Sequence, residues 1–189
     1  MVSLGEITKV NSGFRQRRYV DEEGVETCKL IKFKQETNQF DEIEEIRIHR
    51  KLKESYYLNK NDLIMKLTPN FEAKTIDFQE ENLTVPINYA IIHNINDLNP
   101  VILEYVLNSE NIKKQLKRLA NPTRINSINI RTIQDLKIPE FNMEEEKILT
   151  EIIKNYQERE ELLKKELNLY EKQINSMLFN KNGGGIMYE

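Results

Sequence analysis

From Asn142 the sequence runs NMEEEKILTEIIKNYQEREELLKKELNLYEKQINSMLF to Phe179 without a proline or a glycine. Asn142 can cap a helix, and Glu145 stands three residues on, the spacing of a capping box. Written as heptads, Leu149, Tyr156, Leu163, Tyr170 and Met177 occupy one core position. Ile153, Leu167 and Ile174 occupy the other, and Glu160 alone breaks that line. A second apolar line, Ile148, Ile152, Leu162, Leu169 and Leu178, widens the stripe. At ~1.5 Å per residue such a helix is ~55 Å long. The preceding ~140 residues would form a domain with a radius of gyration of ~14 Å. The domain is too small to cover the stripe, so the pattern predicts a partner surface, most simply a coiled coil. The competing reading is a helix laid over its own sheet.

The remainder reads differently. TCKLIKFK (27–34), IRIHR (46–50), DLIMKL (62–67), KTIDF (74–78) and NLTVPINYAII (82–92) are short runs of β-branched and aromatic residues between polar loops. Asn99-Pro100 starts a helix through PVILEYVLNS, and Ser109 caps a second, ENIKKQLKRLA, which Asn121-Pro122 stops. RINSINIRTIQDLKIP returns to a strand or turn. The fold class is therefore α+β. Residues 1–141 form a β-rich domain with small helices, 142–180 a long coiled-coil helix, and 181–189, ending KNGGGIMYE, a flexible tail.

Chemistry is sparse. One cysteine, Cys28, excludes an internal disulfide and a cysteine-rich metal site. No dinucleotide fingerprint, Walker motif or nucleophile elbow is present. His49 and His93 are far apart, and neither has the i,i+4 partner of a zinc helix. Asp62, Glu72 and Lys74 have the loose spacing of a metal-dependent nuclease core, in which two carboxylates hold Mg²⁺ and a lysine steadies water. No proline precedes Asp62, and E-x-K triplets arise readily in a chain whose residues are 31% charged. No apolar run approaches the ~20 residues of a membrane span, and the first residues are too polar for a secretory signal. A cytoplasmic location is expected.

Net charge is −3. Residues 1–142 carry 21 basic and 21 acidic residues, and 143–189 carry 7 and 10. A DNA-binding surface would have to be local, and the isolated chain would bind weakly. Three basic groups stand out: RQRR (Arg15, Arg17, Arg18), RIHRKLK (Arg47, Arg50, Lys51, Lys53) and KKQLKRLANPTR (Lys113, Lys114, Lys117, Arg118, Arg124). Arginine suits guanine or phosphate, and Asn or Gln suits adenine. The candidate DNA contacts are Arg15, Gln16, Arg17, Arg18, Tyr19, Lys66, Lys74, Asn121, Arg124 and Asn126. The candidate partner surface is Leu149, Ile153, Tyr156, Leu163, Leu167, Tyr170, Ile174 and Met177.

The order LGEITKVNSGFRQRRYV, YYLNKNDLIMKL, PVILEYVLNSENIKKQL, INSINIRTIQDLKIPEFNMEEEKILTEII resembles one half of a type I restriction-modification DNA specificity (S) subunit, over residues 3 to about 179. The most specific part is KIPEFNMEEEKIL, where an Ile-Pro strand precedes an acidic helix start. Glu145-Glu146 replaces the usual Glu-Gln. Asn61-Asp62 replaces a glycine-aspartate pair, and asparagine can also take the left-handed turn.

The resemblance implies a target recognition domain that reads one half of a split site in double-stranded DNA. It implies a long helix that pairs with a second as a ruler. It also implies docking of methyltransferase (M) subunits, with restriction (R) subunits a further candidate. The chain itself would be non-catalytic and hold no cofactor, S-adenosylmethionine belonging to the methyltransferase. A full subunit has two recognition domains and two helices; this chain has one of each, which suggests a homodimer. The rival readings are the nuclease above and a coiled-coil interaction protein that binds no DNA.

Overall fold

The computed structural model describes residues 1–33, 40–95, 98–120 and 127–179. The chain divides into two compact units, Met1–Glu146 and Lys147–Glu189.

The first unit is built on β5 (Leu63–Lys66) and β8 (Tyr89–His93), which pair antiparallel in the middle of a four-stranded sheet. β2 (Lys9–Ser12) flanks β8, and β6 (Ala73–Thr75) flanks β5, giving the order β2-β8-β5-β6. LIMK and YAIIH are almost unbroken apolar runs because both faces of this sheet are covered. Leu63, Met65, Ala90 and Ile92 enter one core. Leu103 and Leu107 of α2 (Pro100–Asn108), Ile112 and Leu116 of α3 (Glu110–Leu119) and Ile133 of α4 (Ile130–Gln134) complete it. Ile64, Tyr89 and Ile91 point the other way, onto Ile31 and Leu83. These belong to β3 (Glu26–Phe33) and β7 (Leu83–Thr84), in a second sheet of order β4-β3-β7 with β4 at Phe40–Ile48. The outer face of that sheet carries a third core of Phe14, Cys28, Leu30, Ile48 and Leu52. The unit thus has three layers: helices, a four-stranded sheet and a three-stranded sheet. β1 (Val2–Ser3) pairs with β9 (Lys137–Ile138), beside α1 (Leu4–Ile7).

The expected helices stand where their caps put them. Asn99 Oδ1 accepts from the Val101 amide at 3.1 Å, and Ser109 Oγ accepts from the Ile112 amide at 3.4 Å. Asn142 Oδ1 accepts from Glu144 and Glu145, both at 3.0 Å, and the Asn142 amide donates back to Glu145 at 2.9 Å. Asn61 takes the left-handed turn, with φ of 70°.

Several expectations need correction. The strand expected at 46–50 runs from Phe40 to Ile48. Its acidic start hides it in sequence, but Lys32 answers Glu42 and Glu44 at 3.1 and 3.0 Å across the ladder. The run 82–92 is two strands in two different sheets. Pro86 cannot donate to a ladder, and the Tyr89 amide closes a turn onto its carbonyl at 3.0 Å. Residues 2–12 hold three short elements that had no periodic signal. The expected stop at Asn121-Pro122 lies outside the described residues.

In α5 (Met143–Phe179), Lys164 pairs with Glu160 and Lys165 with Glu161, at 2.7 and 2.9 Å. Glu160, the residue that breaks the apolar line, is thus half of an ion pair one turn long. The Lys165 ammonium holds the Glu161 carboxyl below its ordinary range.

Candidate nucleic-acid interface

β2 delivers the chain to Gly13, whose amide donates to the Tyr89 carbonyl at 2.8 Å. A Cβ at Gly13 would lie 2.1 Å from the Pro86 carbonyl oxygen, so only glycine permits this crossing. Phe14 then plunges into the third core, and its amide donates to the Val85 carbonyl at 3.0 Å. Held at Phe14, the chain turns outward through a 3₁₀ turn, Gln16–Arg18, closed by Arg18 and Tyr19 amides on the Arg15 and Gln16 carbonyls. Arg15, Gln16, Arg17 and Arg18 are all exposed.

Tyr19 returns to the surface of the core and becomes the centre of a ring cluster. It meets Phe14 and Tyr56 edge-on, with centroids 6.2 and 6.3 Å away. The His49 imidazole stacks nearly parallel to it at 5.8 Å, and the Arg50 guanidinium carbon lies 5.1 Å from its centroid. The backbones are tied as well. The His49 amide reaches the Tyr19 carbonyl at 3.0 Å, and the Asp21 amide reaches the Arg47 carbonyl at 3.1 Å. His49 Nδ1 sits 3.1 Å from the same Tyr19 carbonyl, which can only accept, so Nδ1 carries a proton.

Two basic groups 30 residues apart in sequence are therefore brought together along the backbone, with Arg50 against the Tyr19 ring. Ile48 and Leu52 are buried, while Arg47, Arg50, Lys51 and Lys53 between and beside them are exposed. Among the described residues, none of these four, nor Arg15, Arg17 or Arg18, forms an ion pair. The second group was visible in sequence only as a charge cluster. The signal that could have joined it to the first is the aromatic set Tyr19, His49 and Tyr56, which makes sense only as one cluster.

The other candidate contacts are less concentrated. The Lys66 backbone pairs with Tyr89, two strands across from the exit of β2, and Lys66 is half-buried. Lys74 is exposed on β6, the far edge strand. It rims a hollow of about 310 Å³ shared with Ile31, Phe33 and Phe78. Asn121, Arg124 and Asn126 lie outside the described residues. Lys29, on β3, is bound to Glu80, whose carboxylate holds its ammonium above the ordinary range.

The nuclease constellation does not assemble. Asp62 is buried and its oxygens are committed. Oδ2 accepts from the Asn59 amide and His93 Nδ1, each at 2.9 Å, and Oδ1 accepts from the Asn94 amide at 3.0 Å. His93 Nε2 faces the Ser55 carbonyl at 3.2 Å. Asp62 and His93 thus lock the start of β5 to the end of β8 and to the turn at Ser55. Glu72 lies beside Lys66, at the opposite end of β5, ~13 Å along the strand. Two carboxylates so placed cannot share an ion. Among the described residues no group of three His, Cys, Asp or Glu could hold a metal, and no helix is long and apolar enough to cross a membrane.

Along α5, Tyr156, Leu163, Leu167, Tyr170, Ile174 and Met177 are each more than half exposed. Leu149 is half-buried and Ile153 is buried, while Ile148 and Ile152 of the second line are exposed. Leu162, Leu169, Leu178 and Phe179 are exposed to the same degree. Apolar lines of this length left in water are, in general, more common at interaction surfaces than on isolated helices.

No protein-family model matches the chain, and no curated protein matches it in sequence. Solved structures do match in fold. One, from a study of complex assembly and conformational transition in a type I restriction-modification system, has a TM-score of 0.65 at 14% identity, over 93% of this chain. The type I S subunit from M. genitalium gives 0.57 at 16% identity over 96% of the chain. The HsdS subunit from Thermoanaerobacter tengcongensis gives 0.56 at 16% over 87%. The chain spans 42%, 46% and 38% of those proteins, less than half of each. It has the fold of one portion of a type I specificity subunit, long helix included.

Proposed function

We propose that this chain is a DNA-recognition component of a type I restriction-modification system, carrying one recognition domain and one long helix of a specificity subunit, with no catalytic activity of its own. The observation that carries the reading is the fold match, which takes in nearly the whole chain and so joins the β-rich unit to the long helix. The exposed stripe on α5 and the unpaired cations around Tyr19 supply the two surfaces such a component needs. The first unit reads one half-site through the Arg15–Tyr19 turn, with Lys66, Lys74 and the segment holding Asn121, Arg124 and Asn126 as further contacts. The helix pairs with that of a second copy, and the two-fold pair reads an inverted, interrupted sequence. A ~55 Å helix exceeds the ~34 Å of a DNA turn, so the half-sites lie more than one turn apart. Methyltransferase subunits dock on the pair and bring S-adenosylmethionine; restriction subunits join through them.

The test combines mass and sequence. Light scattering across a dilution series gives the mass of the purified chain, expected to be that of a dimer. Selection from a random duplex pool, with methyltransferase subunits added, should then enrich an inverted, interrupted site. A monomer at every concentration would remove the two-fold model. A dimer that enriches no sequence, with or without methyltransferase, would favour an interaction protein that reads no DNA.

A further inference from the structure

The ridge that follows β4 has no role of its own in the reading above, yet it is firmly anchored. Ile48 and Leu52 are fully enclosed in the third core and pin the backbone at both ends. Arg47, Arg50, Lys51 and Lys53 are left pointing into water around these two anchors. Arg50 is held against the Tyr19 ring, and Tyr19 closes the Arg15–Arg18 turn. Seven cations with no ion-pair partner among the described residues then lie on two strips of chain tied by backbone hydrogen bonds. Apart from the Arg50–Tyr19 contact, such an assembly gains little for the fold, because like charges on neighbouring strips repel. It gains when a polyanion covers it, because each phosphate neutralised releases a condensed counterion. Asp21, Glu22, Glu23, Glu26 and Glu54 stand nearby in sequence and temper the field. That is consistent with a surface for short-range contact rather than for long-range attraction.

We propose that Arg50, Lys51 and Lys53 bind the DNA phosphate backbone, and that Tyr19 is a positioning residue holding this ridge and the arginine turn together. The inference rests on the DNA-recognition reading. Its content is a division of labour. The ridge fixes the register of the duplex without reading sequence, and the Arg15–Arg18 turn meets the bases. Tyr19 acts through its ring, by stacking on His49 and Arg50.

The experiment uses the full chain and a fluorescein-labelled mixed-sequence 30-bp duplex, with anisotropy followed from low to physiological salt. Arg50→Gln and Lys51→Gln are each expected to weaken binding about tenfold. Each should also lower the slope of log affinity against log salt by about 1, equally for every duplex tried. Tyr19→Leu should lose both affinity and slope, by as much as Arg50→Gln, with melting curves showing that it is folded. A Tyr19→Leu protein that melts earlier but keeps the wild-type slope would reduce Tyr19 to a core residue. Wild-type affinity and slope in Arg50→Gln and Lys51→Gln would overturn the ridge, leaving DNA recognition intact. A wild-type chain that binds no duplex at any salt would instead overturn the DNA reading itself.

Discussion

Gly13 has no side chain to offer, and the position of the Arg15–Arg18 turn depends on it. A methyl group there would meet the Pro86 backbone, which is fixed by the turn that separates β7 from β8. Gly13→Ala is expected to cost about 2–3 kcal/mol, read as a lowered midpoint in urea. The same variant should loosen the arginine turn two residues on, read as faster amide exchange at Arg18 and Tyr19. Cys28 and Tyr89 show a second residue-scale effect. Burial pushes the Cys28 thiol up to about 11 from 9.0, and the Tyr89 hydroxyl up to about 12 from 10.0. In both cases the folded state holds the proton more tightly than the unfolded state does. Their contribution to stability is therefore complete below pH 9 and is lost as the pH rises through 11 and 12. Stability should fall above pH 9, by on the order of 2–3 kcal/mol for each group across its window. In Cys28→Ala the decline should start about one pH unit later. The native thiol should also resist a disulfide reagent at pH 8 until the protein unfolds.

At the scale of elements, α5 separates what a helix needs from what it offers. Its start is secured locally: Asn142 and Glu145 exchange hydrogen bonds, and Glu144, Glu145 and Glu146 sit at the positive end of the helix dipole. Its ion pairs, Glu160 with Lys164 and Glu161 with Lys165, are closed within single turns. None of these explains Leu163, Leu167, Tyr170, Ile174 and Met177, which a lone helix would do better to replace by polar residues. Leu163→Glu and Leu167→Glu are expected to abolish the dimer in light scattering while leaving the helical circular dichroism signal of the first unit in place. A Leu163→Glu chain that keeps a dimer's mass would show that this stripe is not the pairing surface. Strand β4 gives the converse lesson. Its acidic residues look like loop until Lys32 is placed opposite them.

On the scale of the whole molecule, charge bears on the proposed pairing of two recognition units. Residues 1–142 balance 21 cations against 21 anions, so no overall field draws the chain onto DNA. A single unit would rely on one local surface, and a linked pair adds the second binding event at high effective concentration. Affinity for the selected site is expected to rise when methyltransferase subunits are added. It should fall below that of the wild type when the helix variant Leu167→Glu is used with the same subunits. Comparing wild type and variant at fixed salt isolates pairing from charge, since the two surfaces are on different elements.

The features legible in sequence were those whose physics closes within a few residues. Asn99-Pro100, Ser109 and the Asn142–Glu145 box named helix starts because a cap satisfies amides two or three positions away. The heptad named the exposed stripe because it is a property of one helix. Arg15–Tyr19 could be picked as a surface loop, and the run that becomes β5 as a strand. What the tertiary structure decided was every pairing at longer range. It sent residues 83–84 and 89–93 into different sheets, and it turned Asp62 from a candidate metal ligand into an acceptor for His93, 31 residues away. It also brought His49 and Arg50 onto Tyr19. Such contacts depend on strand register and on which face each residue takes. Composition and spacing carry neither, because a shift of one residue would turn every side chain of a strand to the other side.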